Sequence, residues 1–138
     1  MQGEAEWVAV DWGTSNLRAW GIGASGEVMF SRTSEQGMGR LSSGDYEGVI
    51  TALLADDLRA SDRVVDVLIC GMAGARQGWV EAAYMDMPAA LRDLARHAVR
   101  VDAARPVHIL PGLAQRDPAF PDVMRGEETQ LLGAVAAG

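Results

Sequence analysis

The apolar run at residues 64–70 is the feature that most limits how this chain can fold. Its sequence, VVDVLIC, is interrupted by one charged residue, Asp66, and several of its members are β-branched. A run of this kind suits a central strand that is covered on both faces. Such strands usually pair in parallel beneath flanking helices, so we expect an α/β fold.

Three shorter strands are predicted before this run. Apolar segments lie at residues 7–10, 17–22 and 28–30, and glycine-containing turns at residues 13–15 and 23–26 separate them. Short strands joined by tight glycine turns form antiparallel meanders. We therefore expect the N-terminal part of the sheet to be antiparallel.

A helix is predicted from Asp45 to about Arg59, because apolar residues recur there at helical spacing. Side-chain oxygens just before it can accept hydrogen bonds from the free N–H groups of its first turn. The apolar stripe consists of Tyr46, Val49, Ile50, Leu53, Leu54 and Leu58.

The remaining elements complete an alternating pattern. A glycine-rich loop at residues 71–78 precedes a helix predicted from Pro88 to Val99, a strand at 107–110 and a helix at 126–137. The predicted order is β-β-β-α-β-α-β-α. This order implies one domain over residues 1–138, with a mixed five-stranded sheet and helices on its faces.

Composition narrows the class of partner. With 138 residues, 49% apolar and 22% charged, the chain has the makeup of a globular domain. Its net charge of −7 disfavours nucleic acid and anionic membranes as partners. It has one cysteine, Cys70, and neither a secretory signal pattern nor a membrane-length apolar stretch, so we expect a cytoplasmic protein.

The segment DWGTSNLR at residues 11–18 is the strongest chemical signal. A carboxylate ends an apolar strand, a glycine turn with two hydroxyls and an amide follows, and Arg18 lies on the return strand. Backbone N–H groups of such a turn can surround phosphate oxygens, and Asp11 can hold Mg²⁺ directly or through water. The alternative is a plain hairpin, in which Asp11 and Asn16 only satisfy the turn backbone.

This segment resembles the first phosphate loop of the actin-like ATPase superfamily, which includes sugar kinases. Three further stretches resemble the 2-dehydro-3-deoxygalactonokinase family in particular and follow its order: CGMAGARQGWVEA at 70–82, ILPGL at 109–113 and DVMRGEETQ at 122–130. The resemblance covers nearly the whole chain. It implies a ribonuclease H-like lobe and the ATP-dependent phosphorylation of 2-dehydro-3-deoxy-D-galactonate at its terminal hydroxyl.

The resemblance also implies roles for the first loop. Asp11 would organise the Mg²⁺ ion of Mg-ATP as a catalytic residue. The phosphates would be bound by Gly13, Thr14, Ser15, Asn16 and Arg18.

Substrate contacts are expected from the loop after the central strand, where open α/β sheets place ligands. Arg76 suits a sugar-acid carboxylate, Gln77 lies beside it, and Trp79 suits the apolar face of a sugar. The alternatives are a solvated surface charge for Arg76 and a lid over the core for Trp79.

The segment at 125–130 is expected to supply the general base. The base would accept the proton of the substrate hydroxyl, and Glu128 is the first candidate and Glu127 the second. Arg125 would bind the substrate carboxylate or the γ-phosphate. The alternative for the two acids is a favourable interaction with the N-terminal dipole of the last helix.

Family members are more than twice as long as this chain, with a second lobe that carries the adenosine site. We therefore expect this N-terminal lobe to be inactive unless a C-terminal lobe, or a second copy of the chain, completes it. Two alternatives are open: a non-catalytic remnant or assembly module, and another sugar or sugar-acid kinase of the same superfamily.

Overall fold

The protein is described by a computed structural model that covers residues 5–58, 65–86, 93, 96–101, 106–115 and 122–124. The helix predicted at 126–137 lies outside these residues, as does most of the helix predicted from Pro88.

Most of the described strands form one mixed sheet around the apolar run. Its strands are β1 (Trp7–Trp12), β2 (Leu17–Ile22), β3 (Val28–Ser34), β4 (Asp66–Gly71), β6 (Val99–Val101) and β7 (Val107–Ile109). Their spatial order is β3-β2-β1-β4-β7-β6. β4 pairs in parallel with both β1 and β7, while the β1–β2–β3 meander is antiparallel, so both predictions are confirmed.

The prediction of five strands is wrong, because the described parts of the chain already contribute six strands to this sheet. Val99 was placed on a helix face, but it begins β6, which pairs with β7 in antiparallel orientation. The segment Val99–Val101 has an apolar residue on each side of the exposed Arg100, and this alternation suits an edge strand. Two β-branched valines at a spacing of two favour the strand over the end of a helix.

A second, three-stranded sheet was not predicted. It consists of β5 (Met85–Asp86), β8 (Leu113–Gln115) and β9 (Asp122–Met124), with β8 between the other two. Strands of two or three residues are too short to produce a recognisable period in sequence.

The core lies between one face of the six-stranded sheet and the helix α1 (Tyr46–Leu58). Alternate residues of β1 point into it, and Tyr46, Ile50 and Leu54 of α1 are buried against them. Burying a side chain such as Ile50 contributes about 2 kcal/mol. The apolar stripe predicted for this helix is confirmed, with Val49, Leu53 and Leu58 packing around its buried centre.

An ion pair joins the other end of α1 to the edge of the sheet. The guanidinium of Arg32 on β3 lies 2.5 Å from Asp57 Oδ1 and stacks over Phe30 at 5.6 Å. Within the described parts of the chain, no helix has the length and apolar character needed to cross a membrane.

The parallel pairing of β4 with β1 and β7 determines where the carboxyl ends of these strands lie. β1, β4 and β7 run in the same direction, so their carboxyl ends lie at one edge of the sheet. Asp11 and Gly71 both lie at this end of the parallel strands, which we call the ligand edge because α/β sheets bind ligands there.

Replacing Gly48 with alanine should stabilise the protein. Gly48 lies in α1, is exposed, and has nothing within 4 Å of an added Cβ. Alanine in a helix interior is favoured over glycine by about 1 kcal/mol, so the melting temperature should rise by a few degrees. Gly44→Ala is the matched control: its added Cβ is equally unobstructed, but it precedes the helix. A Gly48→Ala variant that melts no higher than this control would contradict the prediction.

Candidate active site

Asp11 occupies the carboxyl end of β1, between the neighbouring strands. It lies opposite Arg18 on β2 and opposite Cys70 on β4, and its side chain is partly exposed. The sequence predicts that this carboxylate ends an apolar strand, and Asp11 is indeed the penultimate residue of β1. The pairing therefore sets the carboxylate at a fixed point of the sheet edge rather than on a free loop.

Gly71 allows β4 to come close to this carboxylate. Its φ is +99°, a conformation that L-residues rarely adopt. A Cβ at this position would lie 2.6 Å from the backbone oxygen of Trp12 and 3.2 Å from Asp11 Oδ1. No other residue type fits here without moving the end of β1.

The turn that follows β1 is held from two sides. The Gly13 N–H donates to the Asn16 carbonyl at 2.8 Å, which closes the turn. From the segment after β3, the N–H of Met38 donates to the Gly13 carbonyl and that of Gly39 to the Thr14 carbonyl, each at 2.9 Å. Two carbonyl oxygens of the turn are thus already bonded on the side of residues 37–40.

The side chains at the tip of the turn face solvent. Thr14, Ser15 and Asn16 are exposed, as is Arg18 on the following strand. Because the Gly13 N–H donates to the Asn16 carbonyl, the role of Gly13 is to close the turn. The exposed hydrogen-bond donors belong to the residues that follow it. The structure thus brings together Asp11, the turn and Arg18, the first group of residues predicted from sequence.

Gly37 fixes the distance between this turn and the segment that supports it. A Cβ on Gly37 would lie 2.4 Å from the Thr14 carbonyl oxygen and 2.5 Å from the Ser15 carbonyl carbon. Both contacts are with backbone, so a side chain at this position cannot be accommodated without displacing the turn. The sequence around Gly37 gives no signal for this role, because the contact forms only in the tertiary structure.

The loop after β4 folds tightly on itself. It begins with a single 3₁₀ turn, Met72–Gly74, and the N–H groups of Trp79 and Ala82 donate to the carbonyls of Ala73 and Gly74. Gly78 permits this fold, because a Cβ there would lie 2.4 Å from the Ala73 oxygen. Arg76 and Gln77 are exposed at the tip of the loop, as a ligand contact requires.

Trp79 packs in a group of three rings that we call the aromatic trio: Trp12, Tyr46 and Trp79. Trp79 stacks on Tyr46 with 5.8 Å between ring centroids, and Trp12 lies 4.8 Å from Tyr46. Trp79 is partly buried against the core, which agrees with the alternative of a lid. Substrate contact by Trp79 stays a prediction.

Tyr46 at the centre of the trio is fully buried, and its hydroxyl has no hydrogen-bond partner among the described residues. Burial, reinforced by the nearby charge of Asp45, raises the pKa of Tyr46 above its ordinary value of 10.0. The phenol therefore stays neutral at physiological pH and acts through its ring.

A cavity of about 340 Å³ opens beside Asp11 on the sheet face that points away from α1. Its polar side chains are Asp11 and Arg18, and indole rings of two other strand residues flank an apolar floor. The lining consists of Trp7, Ala9, Val10, Asp11, Arg18, Trp20, Leu68, Cys70 and Leu110. Sequence analysis did not predict this cavity. The alternation of Arg18 and Trp20 on β2, which places both side chains on one face of the sheet, could have indicated it.

The remaining predicted site residues, Arg125, Glu127 and Glu128, lie outside the described residues, which end with β9 in this part of the chain.

The structure thus defines a mixed α/β protein with a polar ligand edge, and comparison with known proteins identifies its family. A sequence model of the 2-keto-3-deoxy-galactonokinase family matches residues 11–138. The chain belongs to this family, and the resemblance noted from its motifs is confirmed.

Relatives agree with this assignment. A probable 2-dehydro-3-deoxygalactonokinase of Rhizobium meliloti is 50% identical over 131 residues, which are 94% of this chain and 42% of that protein. The 2-dehydro-3-deoxygalactonokinase of Escherichia coli is 36% identical over 96% of this chain and 43% of its own length.

A solved structure extends the similarity to the fold. The crystal structure of a putative 2-dehydro-3-deoxygalactonokinase from Sinorhizobium meliloti superposes with a TM-score of 0.87 at 49% identity. The match covers 96% of this chain and 44% of that one. The chain therefore spans less than half the length of these relatives.

Replacing Gly37 with alanine should displace the turn. The added Cβ meets the backbone of Thr14 and Ser15, and overpacking of this kind costs roughly 1–3 kcal/mol of unfolding free energy. Urea unfolding should show the loss, and the amide protons of Met38 and Gly39 should exchange faster. Gly44→Ala is again the control. Wild-type exchange at Met38 and Gly39 in Gly37→Ala would show that the contact does not hold the turn.

Proposed function

We propose that this chain forms the phosphate-binding lobe of a kinase that transfers the γ-phosphoryl group of ATP to the terminal hydroxyl of 2-dehydro-3-deoxy-D-galactonate. The observation that carries the proposal is the position of Asp11 at the ligand edge, beside a turn that is clamped from two sides. Membership of the family supports the choice of reaction and substrate.

The finer fold class belongs to the same proposal. We assign residues 1–138 to a single ribonuclease H-like lobe of the actin-like ATPase type. The order β3-β2-β1-β4-β7, an antiparallel meander beside parallel strands, supports this class. In this interpretation, β6 is an addition at one edge.

The turn would bind the terminal phosphates of the nucleotide. Thr14, Ser15 and Asn16 are exposed at its tip and offer hydroxyl and amide donors, while the carbonyl oxygens of Gly13 and Thr14 already accept from the supporting segment. Exposed donors of this kind suit an anion. Arg18 adds a positive charge across the strand pair from Asp11.

The site also fits a magnesium ion. Mg²⁺ keeps several waters and is usually held by one or two carboxylates together with substrate phosphates. Asp11 is such a carboxylate, and it lies next to the turn at the carboxyl end of β1. When bound, Mg²⁺ would neutralise charge on the transferring phosphoryl group.

The sugar acid would be bound by the exposed tip of the loop after β4. The planar guanidinium of Arg76 can form a bidentate hydrogen bond with a carboxylate, and Gln77 can bond hydroxyls. Arg125 would bind either the substrate carboxylate or the γ-phosphate.

Chemistry at the hydroxyl needs a proton acceptor. We assign this role to Glu128, with Glu127 as the second candidate. As the hydroxyl oxygen bonds to the γ-phosphorus, its proton passes to the glutamate, and the bond from that phosphorus to the bridging oxygen breaks to release ADP. Apart from this transfer, the contribution of the protein is orientation and charge stabilisation.

Relatives more than twice as long suggest what completes the site. We propose that the adenosine end of ATP is bound by a second lobe of the kind those lengths accommodate, or by a second copy of the chain. Closure of two lobes would exclude water from the reacting phosphate. The lone cysteine fits a cytoplasmic location.

Asp11→Asn should abolish substrate-dependent turnover. The substitution keeps the side-chain size but removes the negative charge that holds the metal, so kcat should fall roughly a hundredfold or more. The measurement is ADP release from Mg-ATP by the chain together with the second lobe that completes it, with and without 2-dehydro-3-deoxygalactonate. Gly48→Ala, remote from this edge, is the control. Substrate-independent ADP release, or wild-type turnover in Asp11→Asn, would contradict the proposal, and turnover of another sugar acid would redirect it.

Glu128→Gln and Glu127→Gln should separate the two candidate bases. The variant that lacks the base should lose on the order of 10²–10⁴ in kcat, while its neighbour keeps near-wild-type turnover. The KM for ATP should change little in either variant, because neither glutamate is assigned to the nucleotide. Equal small effects in both would place the base elsewhere.

A further inference from the structure

The aromatic trio connects the two halves of the candidate active site. Trp12 immediately precedes the turn at residues 13–16, which we call the phosphate turn after its proposed role. Trp79 follows the exposed tip formed by Arg76 and Gln77. We propose that Trp79 is a positioning residue: through Tyr46 and Trp12 it fixes Arg76 and Gln77 relative to the phosphate turn. This inference rests on the proposed function, because it assigns Arg76 to the sugar acid.

The three rings form a closed set of contacts. The planes of Trp79 and Tyr46 are inclined by 16°, with 5.8 Å between centroids, and Trp79 meets Trp12 edge-on at 6.2 Å. Trp12 and Tyr46 are 4.8 Å apart and tilted by 51°. Each ring therefore touches both others, in geometries that aromatic pairs favour.

Each end of the trio is fixed to the backbone near the site. The indole N–H of Trp12 donates to the Gln36 carbonyl at 3.1 Å, next to the Gly37 contact that supports the turn. At the other end, the Trp79 N–H donates to the Ala73 carbonyl at 2.8 Å. A shift of the Trp79 ring would therefore move the loop that carries Arg76.

The trio explains why a tryptophan follows this loop without requiring substrate contact. One face of the Trp79 ring lies against Tyr46, and the residue packs on the core. Tyr46 is fully buried and cannot contact a ligand, so any effect of Tyr46 on substrate binding must be transmitted. If Trp79 positions Arg76 through the trio, loss of the buried Tyr46 ring should weaken substrate binding as loss of Trp79 does. If Trp79 instead contacts the substrate directly, loss of the Tyr46 ring should leave substrate binding unchanged.

A double-mutant cycle between Trp79 and Arg76 tests the proposal in the chain together with the second lobe that completes it. Trp79→Leu should raise the KM for the sugar acid roughly ten- to a hundredfold, because small displacements of a binding group have effects of this size. The KM for ATP should stay within about twofold. In an Arg76→Ala background, Trp79→Leu should raise the KM no further, since Arg76 is the group that Trp79 positions.

Conservative substitutions provide the matched controls. Trp79→Phe and Tyr46→Phe keep rings in the stack and should keep the KM for the sugar acid near that of the wild type. Tyr46→Leu removes a ring that no ligand touches and should raise this KM as Trp79→Leu does. Effects of Trp79→Leu and Arg76→Ala that multiply would overturn the proposal, because they would show independent contacts with the substrate. An Arg76→Ala variant with unchanged KM would overturn it as well.

Hydrogen exchange tests the trio without activity. In Trp79→Leu, the amide protons of Gly78 and Ala82 should exchange at least tenfold faster, while those of Val67 and Leu110, bonded within the sheet region, should not change. Wild-type protection at Gly78 and Ala82 would overturn positioning even if the kinase assay succeeds. Lost protection in an enzyme that fails to phosphorylate the sugar acid would support the trio and refute only the assigned reaction.

Discussion

The parallel pairing of β1 with β4 is the constraint on which the rest of this structure depends. It places Asp11 beside Cys70 and Trp12 beside Gly71, and the absent side chain of Gly71 lets the two strand ends approach. The turn at residues 13–16 and the loop of Arg76 both start from this pair of strand ends. Backbone hydrogen bonds between the strands therefore set the distance between the points where the two loops begin.

Contacts that are distant in sequence then adjust each loop. Residues 37–40 bond the carbonyls of the turn, and the aromatic trio connects the turn to the loop after β4. The support comes from glycine positions and from buried or partly buried side chains, while the groups that would meet a ligand stay exposed. The site thus has a rigid base and a polar, solvent-facing tip, an arrangement that favours orientation of bound groups.

The sequence predicted those parts of the fold that repeat a strong local pattern. The antiparallel meander follows from short apolar segments separated by glycine turns, the central parallel strand from a continuous apolar run, and the apolar face of α1 from helical periodicity. The edge strand at Val99 and the second sheet were missed, because strands of two or three residues leave almost no period. The apolar spacing that predicts a helix from Pro88 continues as far as Val99, so the helix was predicted to include a residue that belongs to β6.

For the candidate site, the motif at residues 11–18 predicted which groups come together. The role of Gly37 was hidden, because its importance is a short distance to the Thr14 carbonyl that only the tertiary structure creates. The contacts of Trp79 depend in the same way on Tyr46, far away in the chain. The sequence therefore identified the candidate functional groups, but the residues that hold these groups in place could be identified only from the structure.

The β1–β4 pairing also has a consequence for how the protein folds. The meander and α1 can form from neighbouring segments, but Asp11 meets Cys70 only when a long loop of chain has closed. Closing such a loop costs entropy before any contact compensates, so non-local parallel pairing is a slow step. During synthesis, the ligand edge is thus completed only after β4 has emerged from the ribosome, and until then the carboxyl end of β1 lacks its parallel neighbour.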